Sequence, residues 1–327
     1  MRTLITGGTG FTGSHLVRRR LERGDEVRVL DAAPGLFFDE LARRGAQITL
    51  GSVTDPALVD RLVAGTDVVF HLAAAFRQIN LPKRVYWEVN CQGTRHVAEA
   101  CLRREVRRLV YCSTQGVHGH IRDVPGHEGS PIAPEDYYQR TKHEGELALW
   151  EVARQGLEAS VVRPMGIYGP GDPGRFLMLF RAVRRGRFLM FGDGETCYHP
   201  CYIDSLVDAF ELAAEHPKAV GETYLIGDDR YVSLNELVRT VAASLGQEAR
   251  IVYLPFAPLW IASTLCEAVC MPLRIEPPLF RRRADWFRQT RAFTIDKARR
   301  ELGFTPQVDL ADGLARTAAW YQANGYL

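Results

Sequence analysis

RTLITGGTGFTG, residues 2–13, joins a short apolar run to a loop that carries Gly7, Gly10 and Gly13. In a loop of this kind the first glycine permits a tight turn and the second lets a pyrophosphate approach the backbone. The third lets the following helix pack closely on the sheet. The start of that helix offers free N–H donors to a phosphate. The stretch therefore predicts a strand, loop and helix that bind a dinucleotide.

Apolar runs and helical segments alternate after this loop. The predicted strands are 2–6, 27–30, 48–50, 68–73, 109–113 and 159–164. The predicted helices are 11–23, 57–64, 89–104 and 138–155. Continuous apolar runs are typical of central parallel strands, and regular alternation with helices is typical of α/β proteins. We expect an α/β fold with a doubly wound, Rossmann-like parallel sheet.

Asp31 ends the second predicted strand, about twenty residues beyond the glycine loop. A carboxylate at this place accepts hydrogen bonds from both hydroxyls of an adenosine ribose. It would repel the 2′-phosphate of NADP, and no arginine immediately follows it to bind that phosphate. The cofactor is therefore expected to be NAD.

The character of the sequence changes after residue 165, where GIYGPGDPG forms a connector rich in turn residues. We expect residues 1–165 to form the NAD-binding Rossmann-like domain. Residues 166–327 are expected to form mainly a smaller substrate-binding lobe. Segments near 196–225 and 290–327 are expected to pack back on the first domain.

EDYYQRTKHEGE, residues 135–146, pairs one of two adjacent tyrosines with a lysine. On the predicted helix Tyr138 and Lys142 are four residues apart and share a face, whereas Tyr137 does not. A phenol with a pKa of roughly 10 is a poor base at neutral pH, but a nearby ammonium and a positive nicotinamide favour its phenolate. We expect Tyr138 to exchange a proton with a substrate alcohol. Thr114, at the end of the predicted strand 109–113, is placed to orient the same oxygen.

Composition excludes several classes of partner. The chain has 41 Lys and Arg against 39 Asp and Glu, which creates no strong field for nucleic acid. A small-molecule substrate is expected instead. The first residues leave no room for a signal peptide, so a cytoplasmic location is expected. Seven scattered cysteines predict reduced thiols.

An almost uncharged segment spans residues 254–273. Three prolines and Glu267 interrupt it, so a smooth membrane-spanning helix is not expected. We expect a buried helix or the wall of an apolar pocket. The alternative is contact with a membrane surface, because arginines follow the segment at 281–283.

The cysteines at 197, 201, 266 and 270 invite comparison with a zinc site. Their spacing is not a usual zinc pattern, and a proline at 200 restricts the loop. No metal is expected.

Taken in order, the motifs resemble the extended short-chain dehydrogenase/reductase family, which includes NAD-dependent epimerases and dehydratases and 3β-hydroxysteroid dehydrogenase-like enzymes. The resemblance covers nearly the whole chain. The motifs are TGGTGFTG at 6–13, Asp31, HLAA at 71–74, Asn90 with Gly93-Thr94, CST at 112–114, Tyr138-x-x-x-Lys142 and RPMGIYGPGD at 163–172.

The resemblance implies roles for individual residues. Tyr138 would be the acid/base, Lys142 would lower its pKa and bind the nicotinamide ribose, and Thr114 would be the third catalytic hydroxyl. The residues implied to bind the cofactor are Gly7, Gly10, Phe11, Thr12, Gly13, Asp31, Ser52, Val53, Leu72, Ala73, Ala74, Asn90, Tyr138, Lys142, Pro164, Gly166 and Ile167.

The chain also departs from the family pattern. Ser52 stands where the family usually has an acid that contacts adenine. Gln115-Gly116 replaces the Asp-Glu pair of sugar 4,6-dehydratases, so water elimination is not expected. Gly166 and Tyr198-His199-Pro200 replace polar groups that nucleotide-sugar epimerases often carry. The segments YHPCYIDSLVDAF and FTIDKARRELGF are more similar to the 3β-hydroxysteroid and sterol dehydrogenases.

These observations favour an NAD-dependent oxidoreductase that acts on a secondary alcohol or ketone of a bulky, partly apolar substrate. The alternative is a nucleotide-sugar 4-epimerase that oxidises its substrate transiently with the same three residues. A third interpretation is a dinucleotide sensor without activity, although Thr114, Tyr138 and Lys142 argue against it. By analogy with relatives, helices 89–104 and 138–155 are expected to pair in a homodimer.

Overall fold

The structure is a computed structural model that describes residues 1–76, 81–270, 272–273, 275 and 277–327. The strands are β1 (Arg2–Thr6), β2 (Glu26–Asp31), β3 (Gln47–Leu50), β4 (Val68–His71), β5 (Arg108–Cys112), β6 (Ala159–Pro164), β7 (Gly166–Tyr168), β8 (Phe188–Phe191), β9 (Cys197–Tyr198), β10 (Pro200–Tyr202), β11 (Thr223–Ile226), β12 (Val232–Ser233) and β13 (Ile251–Leu254). A seven-stranded parallel sheet has the order β11-β6-β5-β4-β1-β2-β3.

Helices cover both faces of this sheet and build a second layer beyond it. The α-helices are α1 (Phe11–Glu22), α2 (Phe38–Arg43), α3 (Pro56–Val63), α4 (Lys83–Trp87), α5 (Gly93–Arg103), α6 (Tyr137–Ala153), α7 (Arg175–Arg184), α8 (Ile203–Glu215), α9 (Leu234–Ser244), α10 (Phe256–Cys270), α11 (Arg281–Ala284), α12 (Asp296–Leu302) and α13 (Leu310–Ala323). A π-helical turn, Glu88–Gln92, joins α4 to α5.

The central strands bury both faces because their side chains alternate between two apolar layers. Ile5 of β1 packs in a cluster with side chains of α1 and α8, including Leu16 and Phe210. Its neighbour Leu4 packs on the opposite face with side chains of α3, α5 and α6, including Leu149. A strand covered on both sides reads as a continuous apolar run. The predicted doubly wound, Rossmann-like sheet is confirmed.

Several element boundaries differ from the sequence predictions. The strand predicted over 68–73 ends at His71, and the helix predicted over 89–104 starts as the π-helical turn before α5. The sequence patterns did not predict β11, which pairs with β6 from the second half of the chain. Between them the chain forms α8, which packs on the same sheet. Residues 203–226 are thus part of the sheet layer, and a boundary at residue 165 stays a prediction.

The remaining C-terminal residues form a lobe around a second apolar cluster. Helices α7, α9 and α13 meet there through Phe180, Val238 and Leu314, which are all buried. The parallel pair of β8 and β13 lies at the side of this lobe. The lobe faces the carboxyl ends of the sheet strands, where it supplies one wall of a pocket.

The expectation that the segment 254–273 forms a buried helix is wrong. Most of this segment forms α10, in which Ser263 is the one buried side chain among the described residues. Ile261, Leu265 and Val269 are 58, 62 and 62% exposed. Met271 lies outside the described residues. In the described part of the chain, the helices are too short or too polar to cross a bilayer.

Candidate active site

One pocket of ≈ 440 Å³ lies at the carboxyl ends of the central strands, next to the point where the strand order reverses between β1 and β4. Open α/β sheets bind ligands at such a point. The pocket brings together these residues selected from the sequence: Gly7, Gly10, Phe11, Thr12, Gly13, Leu72, Ala74, Thr114, Tyr138, Lys142, Pro164, Gly166 and Ile167. The described lining does not include Asp31, Ser52, Val53, Ala73 or Asn90.

The glycine loop has the geometry that a pyrophosphate requires. Gly7 has φ +71°, and a Cβ at this position would lie 2.7 Å from the amide nitrogen of Ala73. A Cβ at Gly13 would lie 2.1 Å from the carbonyl oxygen of Gly7. Gly10 precedes α1 and gives it no side-chain cap, and the first turn of α1 has no acidic residue. Its N–H groups therefore remain open to a phosphate, so the loop fits NAD.

Asp31 lies at the end of β2 and is already hydrogen bonded to the glycine loop. Its Oδ2 accepts from the backbone nitrogen of Thr9 at 2.9 Å and from the Thr9 hydroxyl at 2.7 Å. Its Oδ1 accepts from Ala32 N at 2.8 Å. An ionised carboxylate has about four acceptor sites, so ribose hydroxyls can still donate to it. Thr9, which the sequence patterns did not single out, fixes the orientation of this carboxylate.

Three of the other residues predicted to contact the cofactor lie outside this lining. The Ser52 hydroxyl lies 2.8 Å from Thr54 Oγ1. Val53 is buried against Gly93 of α5, where a Cβ would approach Val53 Cγ2 to 2.6 Å. Ala73 donates its N–H to Thr6 Oγ1 at 3.2 Å. Their roles toward adenosine stay predictions.

Asn90 lies in the π-helical turn and is fully buried. Its Oδ1 accepts from Ala75 N at 2.8 Å, and its Nδ2 donates to Ala75 O and to Thr141 Oγ1 at 3.2 and 3.0 Å. These bonds tie the segment after β4 to helix α6. Asn90 thus has a structural role: it connects two segments that adjoin the pocket.

Helix α6 carries Tyr138 and Lys142 on one face. Asp136 caps the helix by accepting the Gln139 N–H at 2.7 Å, and the Gln139 side chain completes a capping box. The box fixes the first turn, which contains Tyr138. The Tyr138 ring contacts Phe76 with a centroid distance of 4.7 Å. The cap and the aromatic contact therefore hold the predicted acid/base in the pocket lining.

Lys142 is only 1% exposed, and its Nζ lies 4.2 Å from the centroid of the Tyr111 ring. Burial lowers the pKa of Lys142 to about 8, against the opposing influence of Cys112 and Glu146. The ammonium gains a cation–π contact, but it has lost most of its hydration. A lysine in this state can change its charge near neutral pH.

Thr114 caps the short 3₁₀ turn Gln115–His118 that follows β5. Its Oγ1 accepts the Gly116 N–H at 3.0 Å, which leaves the hydroxyl hydrogen as a donor. Gln115 in the same turn also lines the pocket, and its buried Oε1 has no hydrogen-bond partner in the described part of the chain. The Thr114 hydroxyl is therefore available as a donor in the pocket, whereas the Gln115 oxygen is buried.

A buried ion pair joins the elements that carry these residues. The two guanidinium bonds from Arg163 to Glu146 measure 2.9 and 2.5 Å. Ser113 donates its hydroxyl to the same carboxylate, and Arg163 Nη1 lies 2.9 Å from His118 Nε2. Burial alone would raise the pKa of Glu146, but the Arg163 hydrogen bond and other contacts lower it to about 2. The sequence patterns gave no role to Glu146.

This ion pair fixes the backbone of the site. Glu146 lies one turn after Lys142 on α6, Ser113 precedes Thr114, and Arg163 precedes Pro164 on β6. Burial also lowers the pKa of His118 to about 4, so its neutral ring is the partner of Arg163. Three elements that line the pocket are therefore tied together at one carboxylate.

Tyr198 occupies the space that a side chain at position 166 would need. A Cβ on Gly166 would lie 1.9 Å from Tyr198 Oη. In the sequence, Gly166 and Tyr198 are two separate departures from the family pattern. The structure shows that they belong together, since the phenol of Tyr198 forms the pocket wall beside Gly166.

The set of site residues predicted from the sequence leaves out part of the lining. The omitted residues are Phe76, Cys112, Ser113, Gln115, Gly116, Gln139, Met165, Asp172, Pro173, Arg175, Tyr198 and Arg291. Those after residue 170 come from the second lobe, and no local pattern indicates which of its side chains will reach the sheet edge.

The seven cysteines are free thiols in the structure. Cys266 Sγ and Cys270 Sγ lie 3.9 Å apart on α10. Within the described ranges, no three His, Cys, Asp or Glu side chains are grouped closely enough to hold a metal ion. The candidate site is thus defined by the pocket at the strand ends.

Comparisons with known proteins agree with this site. Residues 3–227 match the model of the NAD dependent epimerase/dehydratase family. The chain is 32% identical to 2-alkyl-3-oxoalkanoate reductase of Stenotrophomonas maltophilia, over 98% of this chain and 99% of that protein. It is 30% identical to a sterol-4-alpha-carboxylate 3-dehydrogenase, decarboxylating, of Schizosaccharomyces pombe, over 98% of this chain and 97% of the relative.

Among solved structures, UDP-glucose 4-epimerase of Thermotoga maritima with UDP-glucose superposes with a TM-score of 0.80 at 26% identity, covering 99% of each chain. The family match spans well over half of the chain and includes the glycine loop, Thr114, Tyr138 and Lys142. Together, the fold, the pocket and these matches identify the chain as an NAD-dependent enzyme of the NAD-dependent epimerase/dehydratase family, of the extended short-chain dehydrogenase/reductase type.

Proposed function

We propose that the protein is a dehydrogenase or reductase that interconverts a secondary alcohol and a ketone on a bulky, partly apolar substrate. The observation that carries the proposal is the single pocket in which Thr114, Tyr138 and Lys142 meet the glycine loop. When bound, NAD supplies the hydride acceptor, and its reduced form supplies the hydride donor. The residues of the chain then have to orient the alcohol and manage its proton.

Tyr138 takes the hydroxyl proton during oxidation and returns it during reduction. Lys142 favours the phenolate because an ammonium on the same helix face stabilises negative charge on the phenolic oxygen. Thr114 donates its hydroxyl hydrogen to the substrate oxygen and so orients it between Tyr138 and the turn that follows β5. Each of these three roles is a proposal that rests on the lining of the pocket.

The pocket wall favours an apolar substrate over a sugar nucleotide. Gly166 and Tyr198 place an aromatic ring where a polar side chain at position 166 would otherwise project. Leu72, Met165 and Ile167 add apolar surface to the same pocket. The two relatives are, by their names, an oxoalkanoate reductase and a sterol carboxylate dehydrogenase. These names agree with an alcohol or ketone on a hydrocarbon body.

The epimerase alternative is supported by the structural match to UDP-glucose 4-epimerase. Purified protein with NAD is offered 3β-hydroxysteroids, long-chain 3-hydroxy acids and UDP-glucose in parallel. Accumulation of NADH with a hydroxysteroid or hydroxy acid supports the proposal. Formation of UDP-galactose without net NADH contradicts it and supports the epimerase. Tight binding of NAD without any turnover contradicts it in favour of a sensor.

A Tyr138→Phe variant tests the assigned proton transfer. We expect turnover to fall by about 10²- to 10⁴-fold, because general acid–base catalysis contributes a factor of that size. NAD binding and the circular dichroism spectrum should not change. Tyr137→Phe is the matched control, since Tyr137 lies beside Tyr138 but contacts Tyr86 and Lys83 instead. Full activity of Tyr138→Phe would contradict the assignment.

We also propose that the protein forms a homodimer through the outer faces of α5 and α6. An open cleft of ≈ 1070 Å³ lies there, and exposed Trp87 and Leu147 line it together with Arg95. Apolar side chains next to a charged rim are typical of protein interfaces. A monomeric mass for the wild type in solution, with no shift on Leu147→Glu, would contradict the dimer.

A further inference from the structure

Two arginines of the second lobe line the same pocket as Tyr138 and Lys142. Arg175 is the first residue of α7, and Arg291 lies next to Tyr198, to which it is joined by an isolated β-bridge. The Arg291 backbone is fixed because its N–H donates to Cys197 O at 2.9 Å. The proposed reaction at Tyr138 gives neither arginine a role.

Arg291 is largely enclosed, and its ion pair in the described chain, with Glu135, is a long one. Its side chain is 19% exposed, and its Nε is buried without a hydrogen-bond partner among the described residues. One Nη2 bond of 2.7 Å goes to the neutral amide of Gln289. The nearest acid in the described chain, Glu135, lies 4.0 Å away, beyond hydrogen-bond distance. The guanidinium thus retains donors that no protein acceptor satisfies.

Arg175 adds a second positive charge to the first. Burial lowers the pKa of Arg291, and the charge of Arg175 acts in the same direction. Asp172, the acid in the described pocket lining, accepts the backbone N–H groups of Gly174 and Phe176 at 2.8 and 3.2 Å and so stabilises the start of α7.

Two guanidinium groups that repel each other in a partly dry pocket are costly unless an anion joins them. An arginine fork fits the two oxygens of a carboxylate with parallel hydrogen bonds. We infer that Arg291 and Arg175 bind a carboxylate of the substrate while Tyr138 engages its hydroxyl. The substrate is then a hydroxy acid, or the matching oxo acid, on an apolar body. This inference rests on the proposed function and names its substrate class.

The carboxylate explains the mixed character of the pocket. Thr114 and Tyr138 engage one oxygen at the reacting carbon, whereas the arginines bind a charge at a second position. Two polar anchors fix the orientation of a molecule whose remaining surface is apolar, and a single hydroxyl contact would allow it to rotate. The anchors thus decide which face of the alcohol carbon is presented.

Calorimetric titration of the NAD-loaded protein tests this assignment. The probes are 3-hydroxydodecanoate, its methyl ester, and UDP as an alternative source of anionic oxygens. We expect the acid to bind about 10- to 100-fold more tightly than the ester, since hydrogen bonds to a charged group contribute about that factor. Equal affinity of acid and ester, including no binding of either, would overturn the inference. Tighter binding of UDP than of the acid would also overturn it, in favour of a diphosphate.

Arginine variants connect that difference to the two side chains. In Arg291→Gln, and separately in Arg175→Gln, the acid should lose its advantage while the affinity of the ester stays the same. If Arg291→Gln does not fold, the Arg175→Gln variant still tests the assignment. Arg184→Gln, on the exposed end of α7, is the matched control and should keep the advantage. An unchanged ratio of acid to ester affinity in Arg175→Gln and in a folded Arg291→Gln would reject the assignment.

The outcomes also separate this inference from the proposed function. Arginine-dependent binding of the acid without NADH formation supports the carboxylate site and contradicts the dehydrogenase. NADH formation from a hydroxysteroid that carries no acid, with no preference of the pocket for acids, supports the dehydrogenase and overturns the carboxylate site. Binding is measured by heat and turnover by NADH, so neither result depends on the other.

Discussion

Helices α6 and α10 have similar lengths, but the charged helix buries side chains whereas the apolar helix exposes them. Helix α6 contains charged residues in almost every turn, and yet it buries Lys142 and Glu146 beside the sheet. Helix α10 contains one charged residue, Glu267, and yet its apolar side chains Leu265 and Val269 are exposed. Burial therefore follows the face that finds a partner, and it does not follow average hydrophobicity.

The comparison of the two helices predicts a large loss of turnover when the buried charge of α6 is removed. Lys142→Met keeps the apolar stem but removes the amine, so turnover should fall by about 10²- to 10⁴-fold. Stability at pH 7 should be unchanged or higher, because desolvation of the amine disfavours its charged form. Activity assays and thermal unfolding of the two proteins measure these effects.

The pH dependence of stability provides an independent check on Lys142. Its pKa is lowered from 10.5 to about 8 in the folded chain. Between these values the unfolded state binds more protons, so the wild type should gain stability as the pH rises through this range. Lys142→Met should lack that gain. A wild type that loses stability there at the same rate as the variant would show that the amine is hydrated.

The ion pair behind α6 should give the next largest effect. Glu146→Ala leaves the Arg163 charge buried without its carboxylate, which should cost about 3–5 kcal/mol of unfolding free energy. Glu22→Ala, at the exposed end of α1, is the control and should cause no measurable change. Urea denaturation measures both variants. Equal midpoints would mean that the site is not held by Glu146.

Acid titration sharpens the same prediction. The pKa of Glu146 falls from 4.5 to about 2 in the folded chain, so its contribution is present above pH 4.5 and is lost as the pH falls toward 2. The wild type should lose more stability across this range than Glu146→Ala does. Parallel slopes for the two proteins would contradict the buried pair.

A matched leucine pair compares the two helices directly. Leu149 of α6 is fully buried and Leu265 of α10 is 62% exposed. Leu149→Ala should cost about 2–5 kcal/mol, whereas Leu265→Ala should stay within about 0.5 kcal/mol. The difference in urea midpoints measures this contrast. A large loss for Leu265→Ala would mean that α10 packs against a partner in solution.

The sequence predicted best where local chemistry and spacing determine the structure. The glycine spacing of residues 7–13 requires backbone approaches that admit no side chain, and the structure has those approaches. The four-residue separation of Tyr138 and Lys142 predicts a shared helix face, and both residues line one pocket. The fold and the enzyme family were therefore predictable from short motifs.

The sequence predicted least where distant segments meet. Glu146 binds Arg163 because α6 packs on β6, and Arg291 reaches the pocket because its strand-like segment runs beside Tyr198. Neither contact has a local pattern. The segment 254–273 was predicted to be buried because it is apolar, but an apolar helix without a polar face gives no sign of which side is covered. The cytoplasmic location and the domain boundary at 165 stay predictions.

Tyr198 and position 166 occupy one shared volume, so the two positions can only be remodelled jointly. Any side chain introduced at 166 collides with the phenol, and any shortening of Tyr198 while Gly166 is kept leaves a hollow wall. A pocket with an amide side chain at 166 can thus be reached only through a single variant in which this wall either clashes or contains a cavity. A change of substrate preference at this wall therefore requires replacement of both residues, and the first replacement is destabilising whichever residue is changed first.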